Sequence, residues 1–254
     1  MKFFIQSWKH QSGTHSNKRI LLGNIMDSIW LDFSNIAFTS PLLLTLKVAG
    51  LATLWALVLG VSAAYVLARW EFPGRDFLDA IFTLPMVMPP TVLGYYLLVF
   101  IGRRGILGSW LQEHFNITLM FTWQGAVIAA TVVAFPLVFK SARAALEGVG
   151  AQYENAARTL GQGELAVFLR VSLPLAFRGV LSGGMLAFAR AMGEFGATLM
   201  VAGNLPGRTQ TLSLAVYSAV QAGNDALANT LVLVISIVCV LILMTTSKLL
   251  KPPC

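Results

Sequence analysis

Five long apolar runs leave this chain few ways to fold. They cover residues 42–68, 77–101, 123–146, 177–202 and 230–250. Each matches or exceeds the roughly 20 residues that a helix needs to cross a bilayer core. Inside hydrocarbon every backbone N–H and C=O must find a partner within the chain, so such runs form helices. A β-barrel would instead show alternating runs of about ten residues, which this sequence lacks. The expected fold is therefore an all-α integral membrane protein, a polytopic bundle of five transmembrane helices. Composition agrees: 56% of the 254 residues are hydrophobic and 11% are charged, against roughly 25% charged in a soluble domain.

The stretch "ILLGNIMDSIWLDFSNIAF", residues 20–38, is interrupted by Asn24, Asp27, Asp32 and Asn35. Each charge costs about 2.5–3.5 kcal/mol at the bilayer centre. It reads as an interfacial helix leading into the first span, with a sixth span as the alternative. The polar residues before it end in Lys18 and Arg19 and lack the apolar core of a signal peptide. The chain thus divides into a tail and interfacial helix (1–41), a transmembrane domain (42–250) that contains a polar loop (148–176), and a short tail (251–254).

Lys and Arg collect in the cytoplasmic loops of membrane proteins. Arg69, Arg75, Lys140, Arg143, Arg158, Arg170, Arg178, Lys248 and Lys251 fall on one side of the expected topology; Arg103, Arg104 and Arg208 fall on the other. The first side is expected to be cytoplasmic, with the 148–176 loop and the C-terminus there, in a plasma membrane of the bacterial inner-membrane kind. Lys2, Lys9, Lys18 and Arg19 argue against an outside N-terminus and keep six spans open. Trp70, Trp110 and Trp123 sit near span ends, as an aromatic belt would. Trp55 falls mid-span, where packing between helices is expected.

The net charge of +7 has the same explanation, and no basic-aromatic pattern suggests nucleic-acid binding. Cys239 lies in the last apolar run and Cys254 ends the chain, so no disulfide framework is expected. Cys239 reads as a small hydrophobe. The scattered His10, His15 and His114 form no metal-ligand spacing. Neither a nucleophile–base pair nor an HExxH motif appears, so no catalytic residue is assigned. No G-x-x-x-x-G-K-[ST] stretch is present either, so ATP should not bind this chain through a P-loop.

The polar loop carries "QYENAARTLG", residues 152–161. Gly148 and Gly150 are expected to end the third span with a left-handed cap. Gln152 to Leu160 then form about two and a half helical turns, closed by Gly161. Ala156 and Ala157 leave little bulk, so a partner could approach closely, flanked by the charges of Glu154 and Arg158. A solvated connector is the plainer alternative on local pattern alone. A second short helix, "GELAVFLRV", follows, and Pro174 opens the fourth span, where its fixed φ suits a first turn.

Over a longer stretch, "NAARTLG" followed by nine residues and "VSLP" resembles the EAA loop of ABC importer permeases. Ala156, Ala157, Gly161, Val171, Leu173 and Pro174 fall at the matching places. Asn155 stands where that family usually has Glu, and Glu154 comes one residue earlier at a different helical angle. The resemblance implies that this loop is a coupling helix seated in a groove of a cytoplasmic ATP-binding subunit, and that ATP and Mg belong to that partner, with no cofactor on this chain. "LPMVMPPTVLGYYLL", "GRRGILGSWL" and "ARAMGEFGATLMVAGNLPGRTQTLSLAVY" further resemble the molybdate permease subunits, with sulfate permeases as close relatives. That likeness implies a second copy of the chain, two ATP-binding subunits and an outer oxyanion-binding protein as partners. Tungstate is not separable from molybdate on this pattern.

The residues themselves suggest a path. Pro85, Pro89 and Pro90 lie inside the second run, either as a kink or as a broken helix lining the path, with Thr91 offering a hydroxyl. Arg190 and Glu194, four apart on one helix face, are expected to neutralise each other and lock the bundle. Gly193 and Gly196, with Gly183 and Gly184 before them, allow close helix contact, as a dimer interface or a gate would use, with Phe195 and Thr198 expected near the path. "NLPGRTQTL", with Arg208, Thr209 and Gln210, has turn chemistry on the outer side and reads equally as a docking site for the binding protein or as an interfacial loop.

Overall fold

The computed structural model describes residues 36–250. The expected tail, the interfacial helix apart from its last three residues, and Lys251 and Cys254 lie outside the described residues. The described chain is helical. Its elements are α1 (Ile36–Arg69), α2 (Arg75–Val87), α3 (Pro90–Ile101), α4 (Ile106–Phe115), α5 (Trp123–Glu147), α6 (Ala151–Thr159), α7 (Glu164–Val167), a π-turn (Phe168–Ser172), α8 (Leu173–Met192), α9 (Gly196–Ala202), α10 (Leu212–Gln221) and α11 (Asp225–Leu250).

Three helices form the centre. Val48, Ala49, Ala52 and Ala56 of α1 are buried with Ala126, Val127, Ala130, Ala134 and Val138 of α5 and with Ala187, Ala191 and Met192 of α8. Small residues dominate because lipid offers no hydrophobic drive between helices; close backbone approach and dispersion hold them instead. At Gly183 of α8 a Cβ would sit 2.7 Å from the Ser141 Cβ of α5. One turn away the Ser141 hydroxyl donates to the Gly179 carbonyl at 2.7 Å. α11 is peripheral and exposes Val232, Leu233, Ile237, Val240 and Leu241, an apolar surface suited to hydrocarbon. Cys239 packs, half-buried, against the central cluster.

Four helical stretches among the described residues are long and apolar enough to cross a membrane: Thr39–Arg69, Trp123–Glu147, Glu164–Met192 and Asp225–Ile242. A bent pair, α2 with α3, makes a fifth if it counts as one span. Of the kink and the broken helix left open for the second span, the structure has the broken helix, two helices bent by 115° at the break. The break follows from the chemistry of two consecutive prolines. Met88, forced out of the helical region by the proline after it, sits at φ −72°, ψ 142°. Pro89 has no N–H to give, and Pro90 starts α3 at its first turn. Pro85 lies within a continuous α2. Ion pairs clamp α2 to α5: Asp79 takes Lys140 at 2.6 Å and also Arg143, while Glu147 takes Arg75 at 3.1 Å.

The fourth run also differs from expectation. The helix begins at Glu164 rather than near 177, continues through the π-turn, and stops at Met192. Residues 193–195 break it, and α9 is a separate short helix. Pro174 explains the π-turn. It lacks an N–H and its ring would collide with the carbonyl four residues back in an ordinary helix. The widened turn moves that carbonyl away, and the Leu173 N–H bonds to Phe168, five residues back.

Two further expectations are corrected. Trp55 is 54% exposed and faces outward rather than between helices. Gly148 and Gly150 have φ of −73° and −62°, so neither provides a left-handed cap.

Candidate functional site: the polar loop and the two helix breaks

α6 is a nine-residue helix with one face against the bundle and one free. Its C-terminus closes in a Schellman motif. Gly161 takes φ +80°, the Gly161 N–H bonds to the Arg158 carbonyl at 2.9 Å, and the Gln162 N–H bonds to the Ala157 carbonyl at 3.2 Å. A Cβ at Gly161 would meet nothing within 4 Å, so the requirement for glycine is one of backbone conformation, not space.

The face turned to the bundle contains Glu154 and Ala157, which are 2% and 9% exposed. Glu154 pairs with Arg69, the last residue of α1, and accepts a 2.6 Å hydrogen bond from the Ser172 hydroxyl in the π-turn. Arg69 also donates to the Leu146 carbonyl at the end of α5, at 3.1 Å. The free face carries Gln152, Tyr153, Asn155, Ala156, Thr159 and Leu160. This corrects the expected small outward face. Ala156 is on it, Ala157 is not, and Glu154 points inward instead of flanking a partner. Charge on the free side comes from Arg158, which donates to Asn155 at 2.9 Å and to Glu164 at 2.7 and 3.1 Å. The hydrogen bond to the Glu164 carboxylate raises the Arg158 pKa above the ordinary guanidinium value. Of the motif's later residues, Leu173 packs half-buried against the cluster around Phe139 and Leu146, and Pro174 is exposed.

The two helix breaks come together. At Gly196, the first residue of α9, a Cβ would lie 2.9 Å from the Pro90 Cβ and 3.3 Å from the Thr91 nitrogen. At Gly94 it would lie 2.9 Å from the Ala197 Cα. Pro89, Pro90 and Thr91 are exposed, whereas Thr198 is 1% exposed; the two hydroxyls expected along one path do not share a surface. Phe195 is half-buried with its ring 5.2 Å from that of Tyr217. Arg190 donates to Glu194 at 2.7 Å. The two do not share a helix face, because Glu194 lies in the break. Its other oxygen accepts the Ala197 N–H at 2.9 Å and so caps α9.

At the opposite end of the bundle from α6, the 203–211 loop is tightly built. The Leu205 carbonyl takes the N–H groups of Arg208, Thr209 and Gln210. Thr209 is buried, its hydroxyl accepting the Leu205 N–H at 3.1 Å. Gln210 bonds to Asn204 and Ser218. Only Arg208, of the three residues expected to dock a partner, is exposed.

Sequence reasoning missed several residues. Arg69 figured only as a loop charge, and Ser172 not at all; a basic residue ending a span and a hydroxyl just before Leu-Pro were the available signals. Lys47, whose Nζ lies 3.6 Å over the Trp123 ring, is a charge inside an apolar run and could have been noticed on that ground. Thr45, which accepts the Leu212 N–H at 2.8 Å and joins α1 to α10, left no sequence signal.

Comparison with known proteins places this arrangement. The profile of the family described as "binding-protein-dependent transport system inner membrane component" matches residues 56–251. The molybdenum transport system permease protein ModB of Escherichia coli K12 is 46% identical over 206 residues, 81% of this chain and 90% of that one. The sulfate transport system permease protein CysT of the same organism is 33% identical over 220 residues, 87% of this chain and 79% of that one. Among solved structures, a bacterial ABC transporter that imports the acidic polysaccharide alginate has a TM-score of 0.66 at 14% identity, covering 91% of this chain and 88% of that one. The bundle is thus that of a permease subunit rather than of an enzyme, and the chain belongs to the family of binding-protein-dependent transport system inner membrane components.

Proposed function

We propose that the chain is the membrane-spanning subunit of an ATP-driven importer of molybdate or tungstate. Two copies form the path. Two cytoplasmic ATP-binding subunits, carrying ATP and Mg, receive the free face of α6, and an outer oxyanion-binding protein delivers the cargo at the opposite end. The α6 end and the C-terminus are then cytoplasmic. The observation that carries the cargo assignment is the higher identity to the molybdenum permease, 46% over 206 residues, than to the sulfate permease, 33% over 220. The geometry of α6 supports the partner assignment: a short helix fixed to the bundle on one face leaves Tyr153, Asn155, Ala156 and Leu160 free for a groove. Alternating access follows, with ATP binding drawing the two α6 helices together and hydrolysis returning them.

Vesicles containing the chain, the ATPase and the binding protein should take up labelled molybdate, with unlabelled tungstate competing strongly and sulfate weakly. Sulfate competing as well as molybdate would favour the second reading, a sulfate permease, which the likeness to CysT supports. Uptake without the ATPase would overturn both.

A further inference from the structure

We propose that Arg69, Glu154 and Ser172 are positioning residues that form the joint through which α6 moves α1 and α8. This rests on the reading of α6 as the contact with an ATP-binding partner.

The joint gathers four elements at one carboxylate. Glu154 of α6 is 2% exposed and turned away from the face a partner could reach. One of its oxygens, Oε1, accepts from both Arg69 and the Ser172 hydroxyl. Its other oxygen lies 3.6 Å from Arg158. Arg69 ends α1 and holds the Leu146 carbonyl in the last turn of α5 with the same nitrogen, Nη2, that it gives to Glu154. Ser172 is fully buried and belongs to the π-turn that leads into α8. Tyr65 of α1 packs against Phe168 of the same π-turn, the rings tilted at 47° with centroids 4.4 Å apart, so α1 and the start of α8 are tied twice.

The chemistry suits transmission better than stability. A buried ion pair contributes little net stability, because desolvation offsets its Coulomb energy. Its bonds are directional, however, whereas an apolar contact lets helices slide. A displacement of α6 is therefore passed to the ends of α1 and α8 rather than absorbed at the contact. The π-turn is the compliant part: its wider helix can change register at Ser172, and π-turns within α-helices mark functional positions. α6 thus divides its work, with Asn155, Ala156 and Leu160 facing out and Glu154 facing in.

The test uses the full transporter in vesicles, with Ser172→Ala and Glu154→Gln each introduced. Three quantities are read: ATPase subunit retained with the membrane part, basal ATP hydrolysis, and molybdate uptake per ATP hydrolysed. Both variants should retain the ATPase subunit and basal hydrolysis. Uptake per ATP should fall about tenfold in Glu154→Gln, the effect of weakening one charge-assisted hydrogen bond, and less in Ser172→Ala, which removes a single hydroxyl and keeps the fold. The reciprocal exchange Arg69→Glu with Glu154→Arg should recover coupling relative to either single change. Unchanged uptake per ATP in both variants, or loss of the ATPase subunit from them, overturns the joint. Absence of coupled uptake by the unaltered transporter overturns the transporter reading and the joint with it.

Discussion

Gly196 at the start of α9 lies so close to Pro90 at the start of α3 that a Cβ on it would come within 2.9 Å of the proline ring. Two interrupted helices thus touch at their breaks, and only glycine permits it. The contact joins two segments far apart in the chain that each look like local irregularities.

Replacing Gly196 with Ala forces those ends apart. Overpacking a close contact costs about 1–3 kcal/mol. The purified chain should melt earlier than the unaltered one, and uptake should fall. Gly193→Ala is the control, because its Cβ would meet nothing closer than 3.9 Å and its φ of −88° suits alanine.

Gly161 gives a different signature. Its surroundings are open but its φ is +80°. A β-branched residue there costs roughly 1–2 kcal/mol in the left-handed region, and asparagine, which visits that region readily, costs less. Gly161→Val should lose binding-protein-stimulated ATP hydrolysis with membrane insertion intact, and Gly161→Asn should keep most of it. Equal activity of the two would show that the Schellman turn does not set the position of α6.

Glu194 does two jobs, pairing with Arg190 and capping α9 at Ala197. Glu194→Gln can keep the cap and lose the charge; Glu194→Ala loses both. Breaking a fully buried pair costs about 3–5 kcal/mol. With the Arg190 side chain 37% exposed, water offsets part of this, and Glu194→Ala should cost about 1–3 kcal/mol. Thermal melts of the two variants, alone and combined with Arg190→Ala, check the order and the coupling.

Arg208 and Thr209 are neighbours with opposite expectations. Arg208→Glu should leave thermal stability unchanged and weaken stimulation by the binding protein, increasingly so at low salt, where exposed charges are least screened. Thr209→Val strips the Leu205 N–H of its acceptor and should lower stability by about 1–3 kcal/mol.

Labelling settles the sidedness. In a chain with Cys239 and Cys254 replaced by Ser and expressed without its ATPase, Arg208→Cys should react with an impermeant maleimide added outside intact spheroplasts. Tyr153→Cys, 53% exposed at the other end, should react only after lysis. The reverse pattern would invert the orientation.

The sequence by itself determined that the chain is a helical membrane bundle, because apolar runs of span length admit no other backbone solution. It also determined where α6 stops and confined the irregularity of the second span to its prolines. Gly161 and the Pro89–Pro90 pair act through local sterics, which neighbours in the chain suffice to define. What the tertiary structure decided was direction and partnership. Whether Glu154 faces a groove or the bundle depends on Arg69, 85 residues away, and on Ser172, 18 residues away. Ala156 and Ala157 look alike in sequence, yet one is exposed and the other buried. Trp55 faces outward because alanines, not aromatics, fill the close contact between α1 and α5. The fourth span ends at Met192, and only the tertiary structure shows that the break beyond it brings Gly196 against Pro90. A helix face is a rotation about an axis, and only the helices packed around it say which rotation buries a carboxylate against its counterion.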